Sequence, residues 1–130
     1  MANILIVDDE AHIRKILVRF LQREGHECET ACTADDAWNQ LTARTFDLVL
    51  SDVNMPGTSG LDLAPRIAED YPDTPVVMVT GVDDARVAQR AVESGVYGYI
   101  TKPFAPNEII IAVLNALRRR ELEIENRHHQ

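Results

Sequence analysis

Short apolar runs and amphipathic helical patterns alternate five times along this chain, and that alternation restricts the fold more than any other feature. The runs cover residues 3–7, 27–31, 48–51, 76–79 and 98–100. Residues 48–50 and 76–79 are apolar without a break, as strands covered on both faces are. Residues 27–31 alternate instead, which places that strand near a sheet edge. After the first run, Ile13, Ile16, Leu17, Phe20 and Leu21 recur at helical spacing, and Gly25 stops the helix. Thr33 reads as the N-cap of a second helix carrying Ala37, Trp38 and Leu41. A third helix is expected from about residue 61 to 70, closed by Tyr71-Pro72. Asp83 or Asp84 caps a fourth, with Val87, Ala88, Ala91 and Val92 as its buried stripe and Gly95 at its end. A fifth starts near Pro106 and turns Ile109, Ile110, Val113, Leu114 and Leu117 inward. Strand–helix repeats with short connections predict an α/β fold, a doubly wound parallel sheet with right-handed crossovers.

In sheets of that kind ligands gather beyond the carboxyl ends of the strands, and here those ends are polar. The third run stops at Asp52, and the chain then breaks at Met55-Pro56-Gly57. The first run ends at Asp8-Asp9, the fourth at Thr80-Gly81 and the fifth at Thr101-Lys102-Pro103. The topology brings Asp8, Asp9, Asp52, Thr80 and Lys102 to one rim. Carboxylates that close raise one another's pKa unless a cation compensates them. Mg²⁺ suits the place, because it takes one or two carboxylates and fills its shell with water and phosphate oxygens. A metal, an ammonium and a hydroxyl around one carboxylate fit phosphoryl transfer, with Asp52 as the nucleophile that forms an aspartyl-phosphate. Lys102 and the metal would neutralise phosphoryl oxygens, and Thr80 would donate a hydrogen bond. There is no G-x-x-x-x-G-K and no G-x-G-x-x-G, so nucleotide binding is not expected and the phosphoryl donor must bring its own surface.

Asp8-Asp9, Asp52 with Met55-Pro56-Gly57, Thr80-Gly81 and Lys102-Pro103 follow one another in an order that resembles the receiver domain of two-component response regulators, over residues 1–120. The resemblance implies a flavodoxin-like (βα)5 fold with strand order 2-1-3-4-5. It implies that a histidine kinase or phosphotransfer protein donates a phosphoryl group to Asp52. Asp9 and Asp52 would ligate Mg²⁺ with the backbone carbonyl of Asn54, and Asp8 would act mainly through water. Thr80 and Lys102 would contact the phosphoryl group, and Tyr99 matches the aromatic that turns inward behind the hydroxyl residue. The Lys102-Pro103 bond is expected to be cis. The fourth helix, fifth strand and fifth helix would form the surface that changes, controlling an attached or partner effector. Asn54 and Val82 match positions that tune the lifetime of the phosphorylated form, and the apolar Val82 predicts no unusually fast self-dephosphorylation. On this reading the protein is a signalling switch whose only catalysis is its own phosphorylation and dephosphorylation.

The remaining sequence bounds partners and output. A net charge of −8 argues against direct nucleic-acid binding. No apolar run approaches the ~20 residues that cross a bilayer, and the chain enters Ile4-Leu5-Ile6-Val7 with no secretory leader, so a cytoplasmic protein is expected. Cys28 and Cys32 suit a reduced compartment and make a poor zinc signature. Glu10 reads as charge at a helix N-terminus, Trp38 as packing, and His12, His128 and His129 receive no role. Residues 121–130 read as a charged, projecting helix end that links to a missing effector module. Leu114, Leu117 and Ile124 allow a short heptad seam, hence a homodimer on phosphorylation, which Glu121 weakens. The alternative output is a stand-alone receiver or phosphorelay intermediate. More remote is a phosphatase with an aspartate nucleophile, whose chemistry wants Asp-x-Asp after the first strand, where this chain has Asp8-Asp9.

Overall fold

The structure is a computed structural model that describes residues 1–128; His129 and Gln130 lie outside the described residues. The elements alternate as β1 (Asn3–Val7), α1 (Ala11–Arg23), β2 (Glu27–Ala31), α2 (Ala34–Ala43), β3 (Leu48–Ser51), α3 (Gly60–Asp70), β4 (Val76–Thr80), α4 (Ala85–Glu93), β5 (Gly98–Thr101) and α5 (Pro106–His128). All strand pairs are parallel, in the order β2-β1-β3-β4-β5. That is the doubly wound parallel sheet the alternating pattern predicted, in the flavodoxin-like strand order the family resemblance implied.

Each central strand feeds two cores, because successive side chains point to opposite faces. Ile4 and Ile6 of β1, Leu48 and Leu50 of β3, and Val77 and Val79 of β4 pack with α1 and α5. Leu5, Val7, Val49, Val76 and Met78 pack on the other face, against α2, α3 and α4. β2 lies at one edge, and only Ala31 of its residues is buried. Thr33 caps α2 by accepting from the Asp36 amide, and of the two candidates for α4 it is Asp84 that accepts, from the Arg86 amide. Gly25 and Gly95 close α1 and α4 with positive φ, as helix-ending glycines do.

Three expected core residues are not core. Ile16, Val92 and Leu114 are 38%, 67% and 56% exposed. Val92 and Leu114 each stand 100° around their helix from a buried neighbour, Ala91 and Val113, and a helix lying on a sheet buries only the narrow band that faces it. The charged end of α5 is also more engaged than a solvated projection. Arg120 donates to the Asp73 carbonyl at 2.6 Å and stands 3.3 Å from the Asp47 carboxylate. Arg127 pairs with Asp73, and Tyr97 donates to Glu123 while the Arg119 guanidinium lies 4.0 Å above its ring. Leu117, expected to turn inward and also named in the heptad seam, is half-buried against the core.

Candidate functional site

The site forms at the carboxyl ends of β1, β3, β4 and β5, where the backbone ladder runs out and side chains take over. The Asp52 amide still donates to Val7 O at 2.9 Å, and the Lys102 amide to Thr80 O at 2.8 Å, so ladder bonds fix where both residues stand. Beyond Asp52 the chain turns through Gly57, with a φ of +81°, and comes back against the strand end at Gly60. A Cβ on Gly60 would lie 2.0 Å from the Asp52 carbonyl oxygen, so only glycine permits this return. Ser59 secures it by donating to Val53 O at 3.0 Å while accepting from the Leu61 amide as the α3 cap.

Asp8, Asp52 and Thr80 are buried, at 1%, 5% and 0% exposure. Lys102 reaches them from the loop after β5. Its Nζ stands 2.7 Å from Asp8 Oδ2 and 3.5 Å from both Asp52 Oδ2 and Glu10 Oε1. Burial pushes the Asp8 carboxyl up, and the hydrogen bond from Lys102 only partly offsets it. Burial alone would lower the Lys102 ammonium, but the Asp8 hydrogen bond and the charges of Asp52, Asp8 and Glu10 raise it on balance. In the structure, then, Lys102 neutralises Asp8 first and Asp52 second.

Asp8, Asp9, Glu10 and Asp52 each offer a carboxylate oxygen within 4.8 Å of the others, the one such group of acids, histidines or cysteines among the described residues. The set is all hard oxygen donors, which suits Mg²⁺ and not a thiolate- or imidazole-seeking metal. Asp8 spends one oxygen on the Glu10 amide, at 2.9 Å, and the other on Lys102. Asp52 spends Oδ1 on the Val53 amide, at 2.7 Å. Asp9 is exposed, and its carboxylate has no hydrogen-bond or ion-pair partner among the described residues. It lines a shallow depression with Val53, Asn54, Met55, Pro56 and Ser59, which puts Asn54 beside it.

Thr80 and Tyr99 meet through Val82. The Val82 amide donates to Thr80 Oγ1 at 3.2 Å, and the Tyr99 hydroxyl donates to the Val82 carbonyl at 2.8 Å. The half-buried Tyr99 ring packs against the α2–α4 core, and burial, with the charges of Asp83, Asp84 and Asp52, raises its hydroxyl pKa. The Lys102-Pro103 bond is cis, as expected. Trp38 is packing: it meets Tyr71 edge-on, under the Arg66 guanidinium.

The sequence-predicted residues Asp8, Asp9, Asp52 and Lys102 therefore stand together, with Thr80 and Tyr99 joined behind them. Three neighbours escaped the sequence reading. Glu10 was assigned to the helix start but joins the acid group, a role its adjacency to Asp8-Asp9 already suggested. Gly60 had no local signal, because its need arises from a contact with the strand end. Arg14, whose Nη1 donates to the Asp8 carbonyl at 2.6 Å, gave none either.

Comparison with known proteins agrees with this geometry. A family model described as "Response regulator receiver domain" matches residues 4–114. ResD of Bacillus subtilis, a transcriptional regulatory protein, is 38% identical over 117 residues, which are 90% of this chain and 48% of that protein. NtrC of Azospirillum brasilense, a DNA-binding transcriptional regulator, is 37% identical over 89% of this chain and 24% of its own length. The chain thus spans half or less of these curated relatives. Among solved structures, NtrX of Brucella abortus superposes with a TM-score of 0.94 at 36% identity, over 99% of this chain and 30% of that one. The chemotaxis response regulator CheY4 of Vibrio cholerae gives 0.83 at 31% identity, over 89% of this chain and 98% of that one. These comparisons do not favour the phosphatase reading. The family model spans most of the chain and the solved receiver domains share its fold, and this chain belongs to the receiver domains of two-component response regulators.

Proposed function

We propose that Asp52 accepts a phosphoryl group from the phosphohistidine of a histidine kinase or phosphotransfer protein. The observation that carries this is the Lys102 ammonium between Asp8 and Asp52, at 2.7 and 3.5 Å, beside an Asp9 carboxylate that has no partner among the described residues. An Asp52 oxygen attacks phosphorus, the new P–O bond forms as the P–N bond breaks, and the bond's electron pair leaves with the imidazole nitrogen. Lys102 is close enough to shift from Asp8 toward the incoming phosphoryl oxygens, and Thr80, whose oxygen accepts from the Val82 amide, keeps its hydroxyl hydrogen to donate. Asp9, Asp52 and the Asn54 carbonyl would hold Mg²⁺, with Asp8 behind them through water. Bound there, Mg²⁺ supplies positive charge for the phosphoryl oxygens.

The output follows from the same geometry. Tyr99 is tied to Val82, two residues beyond Thr80, so movement of that hydroxyl toward a phosphoryl group is felt by the loop leading into α4 and by β5. The α4-β5-α5 surface would then act on an attached or partner effector, which makes the domain a switch and not a metabolic enzyme. An attached effector is the preferred form, because α5 runs for 23 residues and those relatives that are regulators are longer than this chain. A homodimer formed on phosphorylation is one route for the signal, and a stand-alone receiver the alternative.

Beryllofluoride with Mg²⁺ mimics the aspartyl-phosphate and tests this reading. Calorimetry should show binding to the wild type and none to Asp52→Ala, and light scattering should show whether mass changes with it. Equal binding to both proteins would overturn the assignment of Asp52.

A further inference from the structure

Every polar group of Asp8 is committed. Its amide donates to Ala31 O at 3.1 Å, and its carboxylate accepts from the Glu10 amide at 2.9 Å and from Lys102 at 2.7 Å. Its backbone carbonyl accepts from Arg14 Nη1 at 2.6 Å. The first three bonds follow from the sheet, the start of α1 and the charge of the site. The fourth is supplied by a long side chain from the first turn of α1.

We propose that Arg14 is a positioning residue for the metal-binding turn: its guanidinium holds the Asp8 carbonyl and so fixes where the Asp9 carboxylate stands relative to Asp52. The β1–β2 register ends at Val7 and Ala31, so the Asp8 carbonyl, on the β2 side, lies one residue past the ladder and accepts from no strand amide among the described residues. Left unpaired in a residue only 1% exposed, it would turn toward another donor and take the chain with it. A guanidinium is suited to prevent that, because its charge strengthens the hydrogen bond and its planar fork loses little freedom in making it. The Arg14 amide meanwhile donates to Glu10 O at 3.2 Å. One residue therefore grips the turn on both sides of Asp9, by side chain before it and by main chain after it. Asp9 itself has no partner among the described residues to orient it, so its placement depends on that grip.

The charge of Arg14 pulls the other way, since a cation near the turn repels a dication. The sign of the effect on Mg²⁺ therefore separates positioning from repulsion. The inference rests on the phosphoryl-transfer reading for the identity of the metal. Titration calorimetry with MgCl₂ alone, on the full chain and well below its unfolding transition, compares wild type, Arg14→Ala and Arg14→Lys. Arg14→Ala should weaken Mg²⁺ about 10-fold, the low end for residues that hold metal ligands in place. Arg14→Lys, which keeps the charge and a donor, should fall between. Phosphorylation of Arg14→Ala by acetyl phosphate should still reach the wild-type rate at saturating Mg²⁺, which a loss of folded protein would not allow. Unchanged or tighter Mg²⁺ binding by Arg14→Ala, with a wild type that binds, overturns the inference alone. A wild type without affinity for Mg²⁺ overturns the phosphoryl-transfer reading as well.

Discussion

The Lys102 ammonium stands 2.7 Å from Asp8 and 3.5 Å from Asp52 and Glu10, with 13% of its side chain exposed. Lys102→Met leaves Asp8 buried beside three other carboxylates, Asp9, Glu10 and Asp52, and should cost about 1–3 kcal/mol at neutral pH by denaturant unfolding. The pH dependence follows from the two shifts. Lys102 is raised, so the stability it contributes is complete below its ordinary value of 10.5 and is lost as pH rises through the folded value. Asp8 is raised too, so its ionised form weighs against the fold, and that burden lifts as pH falls through its folded value toward the ordinary 3.8. The gap between wild type and Lys102→Met should therefore be widest between the two folded values and close on both sides. A gap that stays constant from acid to alkali would show that the Lys102 contribution is packing and not charge.

Among the elements, the β3–α3 connection does most to place Asp52, because Gly60 returns against the strand it left. Gly60→Ala forces that loop outward, and overpacking of this kind costs about 1–3 kcal/mol. Mg²⁺ affinity should fall with it, since Asp52 and Asn54 bound the same segment; unchanged affinity and stability together would mean the loop can shift without cost. This contact also marks a limit of reading the chain alone. The strands were legible because their apolar runs and polar ends are local patterns, and the caps at Thr33 and Asp84 because capping is a matter of neighbours. Gly60 and Arg14 were not, since each answers to an atom on another element. Ile16, Val92 and Leu114 were misread for a related reason: helical spacing says which residues share a stripe, while the width of the buried band is set by the sheet beneath.

At the scale of the whole molecule, the cores on the two sheet faces set a rigid frame, and α5 carries it past the amino ends of the strands. The contacts from Arg120 to the Asp73 carbonyl and the Asp47 carboxylate tie that extension to the loops before β4 and β3. Arg120→Ala should loosen the last turns of α5 by about 0.5–1 kcal/mol, discounted for partial exposure, and hydrogen exchange should quicken in residues 121–128 while the strands stay protected. Equal exchange in both proteins would mean the extension is held by its other contacts, Arg127 with Asp73 and Tyr97 with Glu123, without Arg120. The charge of this region was legible in the sequence, but its partners were not, since Asp47 and Asp73 are distant in the chain and met only through the topology.

The proposed switch depends on phosphorylation of Asp52. Intact-mass and peptide-level mass spectrometry after treatment with acetyl phosphate and Mg²⁺ addresses that directly. The wild type should gain one phosphoryl group, mapped to Asp52, that is absent without Mg²⁺ and absent from Asp52→Ala. A phosphoryl group mapped elsewhere, or gained equally by Asp52→Ala, would contradict it.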